Sequence, residues 1–201
     1  MSIIAIIANG EDPQTLAERT ALAACDGCIC CDRLPPEGAP KLLQIVGDMD
    51  SLKTHLPPSL ITNLSEDQET NDLTKAIRWA QQHLPEAHLV FFAVTGKRED
   101  HTLANLALIY ESLTQTTIWT STGCFHLIPA GTTTLTVRPN APISFLSLAP
   151  QTITARPVVW PVEALEIKTL WRATLNRTTD ETNLSLQCEA PLYIYQPGDA
   201  L

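Results

Sequence analysis

Two aspartates one residue apart, in Gly47-Asp48-Met49-Asp50-Ser51, follow the apolar run Leu42-Leu43-Gln44-Ile45-Val46. If that run is a buried strand, both carboxylates stand beyond its carboxyl end, where α/β proteins bind ligands. Two acids there offer hard oxygen donors to a divalent cation. A second polar cluster, Asp67-Gln68-Glu69-Thr70-Asn71-Asp72 followed by Lys75, opens an amphipathic segment. Acids at a helix start serve as caps, and capping accounts for one or two of them. Asp72, Lys75 and Trp79 also fall at i, i+3 and i+7, which predicts a polar stripe away from the core, with Lys75 in reach of a phosphate. A third cluster, Thr95-Gly96-Lys97-Arg98-Glu99-Asp100-His101 with Asn105 one turn on, follows another apolar run. Gly96 permits close backbone approach, and the planar fork of Arg98 suits phosphate. Taken alone, this third cluster is an everyday strand-turn-helix connection. Together the three place acids for magnesium beside cations for phosphates. That is what phosphoryl-type transfer needs, because its catalysis is mostly positioning and charge neutralisation, with no covalent nucleophile required.

The rest of the composition narrows the partners. At 201 residues and 44% hydrophobic content the chain can build a substantial core. A net charge of -9 argues against nucleic acid and against a membrane surface, both of which call for a Lys/Arg surplus. The start Met1-Ser2-Ile3-Ile4-Ala5-Ile6-Ile7-Ala8 has no basic leader and too short an apolar run for a span, so a first strand and a cytoplasmic location are expected. Cys25-x-x-Cys28-x-Cys30-Cys31 resembles a metal or redox cluster. Only Cys124 and Cys188 lie elsewhere, and no second CxxC closes a tetrahedral site, so packing is the favoured role.

These clusters need elements to hold them. Strands are predicted over 3–8, 27–31, 42–46 and 88–95, and helices over 13–24, 71–83 and 101–113. Continuous apolar strands alternating with helices imply a parallel sheet covered on both faces. After Thr120 the pattern becomes short runs of Thr, Val, Ile and Leu broken by Pro and Gly, as in 132–137, 143–148, 165–170, 183–188 and 192–195. This predicts a small antiparallel β-sandwich or flattened barrel. The expected class is thus α/β: a parallel-sheet domain over 1–121 that carries the three clusters, and a small β-sandwich domain over 122–201.

In order and spacing the three clusters resemble thiamine pyrophosphokinase, a likeness that covers most of the chain. The resemblance implies a nucleotide-binding catalytic domain over 1–121 and a thiamine-binding domain over 122–201, in a homodimer that moves the β,γ-diphosphate of ATP onto the thiamine hydroxyl and releases AMP, with Mg2+ as cofactor and ATP as co-substrate. It implies that Asp48, Asp50 and Asp72 hold magnesium, and that Gln68, Lys75 and Arg98 hold the ATP phosphates. Asp32, Asn71, His101 and Asn105 join the nucleotide site by the same likeness, and Asp72, Asp100 and Arg98 carry the catalysis, with Asp100 beside the reacting hydroxyl. Trp160, Thr174 and Asn176 resemble the thiamine-pocket segments, which a dimer places beside the phosphate site of the opposite subunit. For Trp160, plain core packing is the competing role. Arg33, Lys97, Asn71 and Arg177 depart from the family pattern, Arg33 being placed to narrow the nucleotide pocket or add a phosphate contact. Two other readings compete: a haloacid-dehalogenase-type phosphatase with Asp48 as nucleophile, and a non-catalytic nucleotide- or thiamine-binding protein, motivated by Arg33 and Arg177.

Overall fold

The structure, a computed structural model, describes residues 1–49, 52, 56–64, 66 and 69–198. Asp50, Asp67 and Gln68 lie outside the described residues. The chain divides into two compact units, residues 1–112 with 118–121, and residues 113–117 with 122–201.

In the first unit, β1 (Ile3–Ile7), β2 (Gly27–Cys31), β3 (Leu42–Gly47), β4 (Ile61–Asn63) and β5 (His88–Phe92) pair in parallel in the order β5-β1-β2-β3-β4. The apolar runs become strands because a sheet covered on both faces buries every residue, as in β2, where all five are buried. The chain steps outward from β1 through β4, then returns to β1's other side at β5. Strand order therefore reverses between β1 and β5, a topological switch point whose crevice lies at the carboxyl ends. Three helices connect the strands: α1 (Leu16–Ala23), α2 (Asp72–His83) and α3 (Glu99–Ser112). Leu73, Ala76, Ile77 and Ala80 form the buried face of α2, as their spacing predicts.

The boundaries differ from expectation for local reasons. α1 begins at Leu16, not Pro13, because Thr15 and Glu18 form a reciprocal capping box. β5 stops at Phe92 because Ala93 adopts φ 54, which ends the ladder before Thr95. α3 begins two residues early, at Glu99, whose acid suits the first turn. β4 and the strand β6 (Thr116–Thr120) have no counterpart among the predicted elements.

In the second unit, β7 (Gly123–Ile128), β8 (Gly131–Thr136), β9 (Pro142–Leu146), β10 (Gln151–Arg156), β11 (Val162–Ile167), β12 (Ala173–Arg177), β13 (Asn183–Cys188) and β14 (Leu192–Pro197) make two antiparallel arrays. Their orders are β12-β9-β14-β7 and β11-β10-β13-β8. Alternate residues of both arrays, among them Phe145, Ile153, Val162, Leu184, Leu186 and Ile194, meet in one apolar core. That two-layer burial with period two is the expected sandwich. All six cysteines are free and buried, and Cys25, Cys28 and Cys30 pack with Leu22, Ile45 and Phe92 in the core of the first unit. Among the described residues no helix is long and apolar enough to cross a membrane.

Candidate active site

The first and second clusters meet in the first unit through three short connections. Asp32 follows β2, Asp48 follows β3 and Asp72 is the first residue of α2, and one oxygen of each lies within 4.8 Å of the others. Gly47 makes the convergence possible. A Cβ there would stand 2.8 Å from the Asp32 Cβ and 3.2 Å from the Asp72 Cγ. Burial pushes the Asp72 carboxyl above its ordinary range, Lys75 opposes this, and Asp48 adds to it. Three carboxylates held this close, one of them 3% exposed, fit a hard divalent cation, whose charge would offset their repulsion. Asp32 thus joins the acidic group itself, beyond the nucleotide-side role expected for it.

Lys75 is not on an outward polar stripe. It is 4% exposed, on the buried side of α2, with Nζ 3.5 Å from Asp72 Oδ1. The helix packs on β2 and β3, and a lysine stem can be buried while its ammonium stays near an acid. Trp79 lies apart from this, its ring stacked on His83 at 4.3 Å. Asn71 caps α2, its Oδ1 accepting from the Thr74 N–H and the Thr74 hydroxyl at 2.9 Å each.

The third cluster closes the other wall of a cleft of about 560 Å³, which Asn71, Asp72, Arg98, His101 and Asn105 all line. Arg98 forks onto Asp100 with contacts of 3.1 and 2.6 Å, both side chains being well exposed. The guanidinium holds the Asp100 carboxyl down to about 2, so this carboxylate orients better than it abstracts. Asn105 donates to Val94 O at 2.8 Å, which ties the first turns of α3 to the end of β5.

The connection after β1 is a wall the sequence reading missed. Ala8, Asn9 and Gly10 line the cleft, and Gly10 N–H donates to Ala93 O at 2.6 Å. A Cβ on Gly10 would fall 2.3 Å from Thr95 O, so two backbones could not run this close with any other residue. The signal was present: Asn9-Gly10 directly follows a buried strand beside the switch point. Two of the departing cations grip this wall. Arg33 pairs with Asp12 at 2.5 Å and donates to Ala8 O, and Lys97 donates to Asn9 O at 2.9 Å. Lys97 holds φ 60, a conformation that glycine adopts without strain.

The second unit carries the remaining expected residues. Trp160 is 55% exposed, which rules out core packing for its indole. Thr174 donates its hydroxyl to Trp171 O at 2.9 Å, and Asn176 is buried against the main chain of Trp160. Arg177 donates to Asn140 O at 2.8 Å. Gln68 and Asp50 fall outside the described residues.

Comparison with known proteins gives the family. Among solved structures, a thiamin pyrophosphokinase family protein from Enterococcus faecalis superposes with a TM-score of 0.78 at 20% identity, covering 98% of this chain and 99% of that one. Thiamin pyrophosphokinase from Geobacillus thermodenitrificans gives 0.80 at 17% identity, covering 98% and 97%. The yeast enzyme gives 0.77 at 13%, covering 100% and 86%. No curated protein matches the chain. Identities this low speak for the fold. The model of the thiamin pyrophosphokinase catalytic domain, however, matches residues 16–120, more than half of the sequence and most of the unit that holds the three-aspartate cluster. On that match the chain belongs to the thiamin pyrophosphokinase family.

Proposed function

We propose that this protein is a thiamine diphosphokinase that transfers the β,γ-diphosphate of ATP to the thiamine hydroxyl. The observation that carries this reading is the convergence of Asp32, Asp48 and Asp72, the last of which lines a cleft that Arg98 lines as well. Asp48 and Asp72, with Asp32 beside them and Asp50 following in sequence, would hold magnesium. Bound there, the metal neutralises charge on the phosphates. Arg98, Lys75 and Gln68 are assigned to the phosphates, and Asn71, His101 and Asn105 to the nucleotide. In the transfer the acceptor oxygen bonds to the β-phosphorus and gives up its proton to solvent, the bond from that phosphorus to the α,β-bridging oxygen breaks, and AMP leaves with that oxygen.

Asp100 is assigned to the acceptor hydroxyl. Paired with Arg98 and strongly acidic, it orients the hydroxyl by accepting its hydrogen bond. Trp160, Thr174 and Asn176 are the acceptor-side candidates, and a homodimer and a cytoplasmic location belong to the same reading. Arg33 is held by Asp12 and Ala8 O, and Arg177 by Asn140 O; tight binding of ATP or thiamine with no turnover would favour the purely binding alternative. The test incubates the protein with ATP, magnesium and thiamine and follows AMP and thiamine diphosphate. Both products are expected, and Asp48→Asn should lower kcat/KM by roughly a hundredfold or more. Release of inorganic phosphate without AMP, together with a trapped aspartyl phosphate, would replace this reading with the phosphatase one.

A further inference from the structure

Residues 158–160 run antiparallel to the carboxyl end of β12. Val158 bridges Thr178, and the Val159 N–H donates to Arg177 O at 2.9 Å. The next rung of this ladder is not made by main chain. Leu175 holds φ 65 and the register of β12 shifts between Ala173 and Asn176, which turns the backbone out of line. The side chain of Asn176 makes the rung instead. Its Oδ1 accepts from the Trp160 N–H at 3.2 Å and its Nδ2 donates to Trp160 O at 2.8 Å. A third bond, from the Arg177 N–H to the same Oδ1 at 2.8 Å, fixes which way the amide faces. Asn176 is 8% exposed while the residue it clamps is 55% exposed. Pro161 follows at once and restricts the backbone on the other side.

The geometry points to a positioning role: Asn176 acts on the acceptor through Trp160, fixing the peptide that carries an exposed indole so that the ring is ordered before a planar heteroaromatic stacks on it. The inference rests on the acceptor reading of Trp160 given above. An amide with both ends committed to one residue's main chain has little left for a ligand, and ordering a stacking ring in advance removes a cost that binding would otherwise bear.

Labelling with 5-fluorotryptophan gives one fluorine resonance for each of the four tryptophans, and loss of a signal in Trp160→Phe assigns that of Trp160. In Asn176→Ala the Trp160 resonance should shift and narrow while the other three hold, which also reports that the fold is intact. Asn176→Asp, which keeps the acceptor oxygen and loses the donor to Trp160 O, should do the same to a smaller degree. In kinetics Asn176→Ala should raise the thiamine KM roughly fivefold to tenfold with kcat and the ATP KM little changed. Trp160→Ala should do likewise, and the double variant should be no worse than Trp160→Ala alone. Additive effects would mean that Asn176 touches the acceptor itself and would overturn the inference, as would an unmoved Trp160 resonance in both Asn176 variants. A shifted resonance in a protein that transfers no diphosphate would keep the clamp and remove the functional reading beneath it.

Discussion

Asp72 and Asp100 show how surroundings drive two carboxylates of one unit in opposite directions. Asp72 is half-buried between Asp48 and Lys75 and is raised, whereas Asp100 is exposed and paired with Arg98 and is lowered. Because the folded value for Asp100 lies below the unfolded one, whatever its pairing contributes is present above about pH 4 and is lost as pH falls through about 2. Carbon-13 NMR of the carboxyl should show it titrating near the lower value, and Arg98→Gln should return it to about 4. A normal titration in the unmodified protein would break the pairing, and with it the orienting role. Charge type at these positions was legible in the sequence. Burial was not: Lys75 falls on the inner side of α2, where helical spacing alone put it outward.

At the scale of elements, capping decides where a helix starts. α1 starts at the Thr15–Glu18 capping box, in which the Glu18 N–H donates to Thr15 Oγ1 at 3.2 Å and Glu18 Oε2 accepts from the Thr15 N–H at 2.9 Å. Thr15→Ala should cost about 1 kcal/mol, lowering Tm by roughly 2–4 °C in a thermal melt, with activity retained. The motif T-x-x-E was readable, but Pro13 drew the predicted start too early. β2 illustrates the opposite case. Its cysteine-rich string reads as chemistry, yet a strand inside a doubly covered sheet buries both faces, and burial pushes the Cys25 and Cys31 thiols up. The native protein should consume little DTNB at mildly alkaline pH, and all six thiols should react in denaturant. Rapid native reaction at Cys28 or Cys30 would contradict the packing role.

For the molecule as a whole, the two units have separate cores and separate kinds of periodicity, and each was recognisable from its own stretch of sequence. If the acceptor site is shared between subunits as proposed, sedimentation should give about twice the 22.0 kDa chain mass, and a monomer fully active in diphosphate transfer would remove that part of the reading. The sequence by itself determined the class of each unit and the three polar clusters, because hydrophobic periodicity and residue type are local properties. Tertiary structure alone decided the rest. It added Asp32 to Asp48 and Asp72, made Gly10 and Gly47 obligatory, spent Arg33 and Lys97 on the wall after β1, and bound Asn176 to Trp160. Each of these joins segments remote in sequence, and their distances are set by strand order and backbone turns that no single stretch of residues encodes.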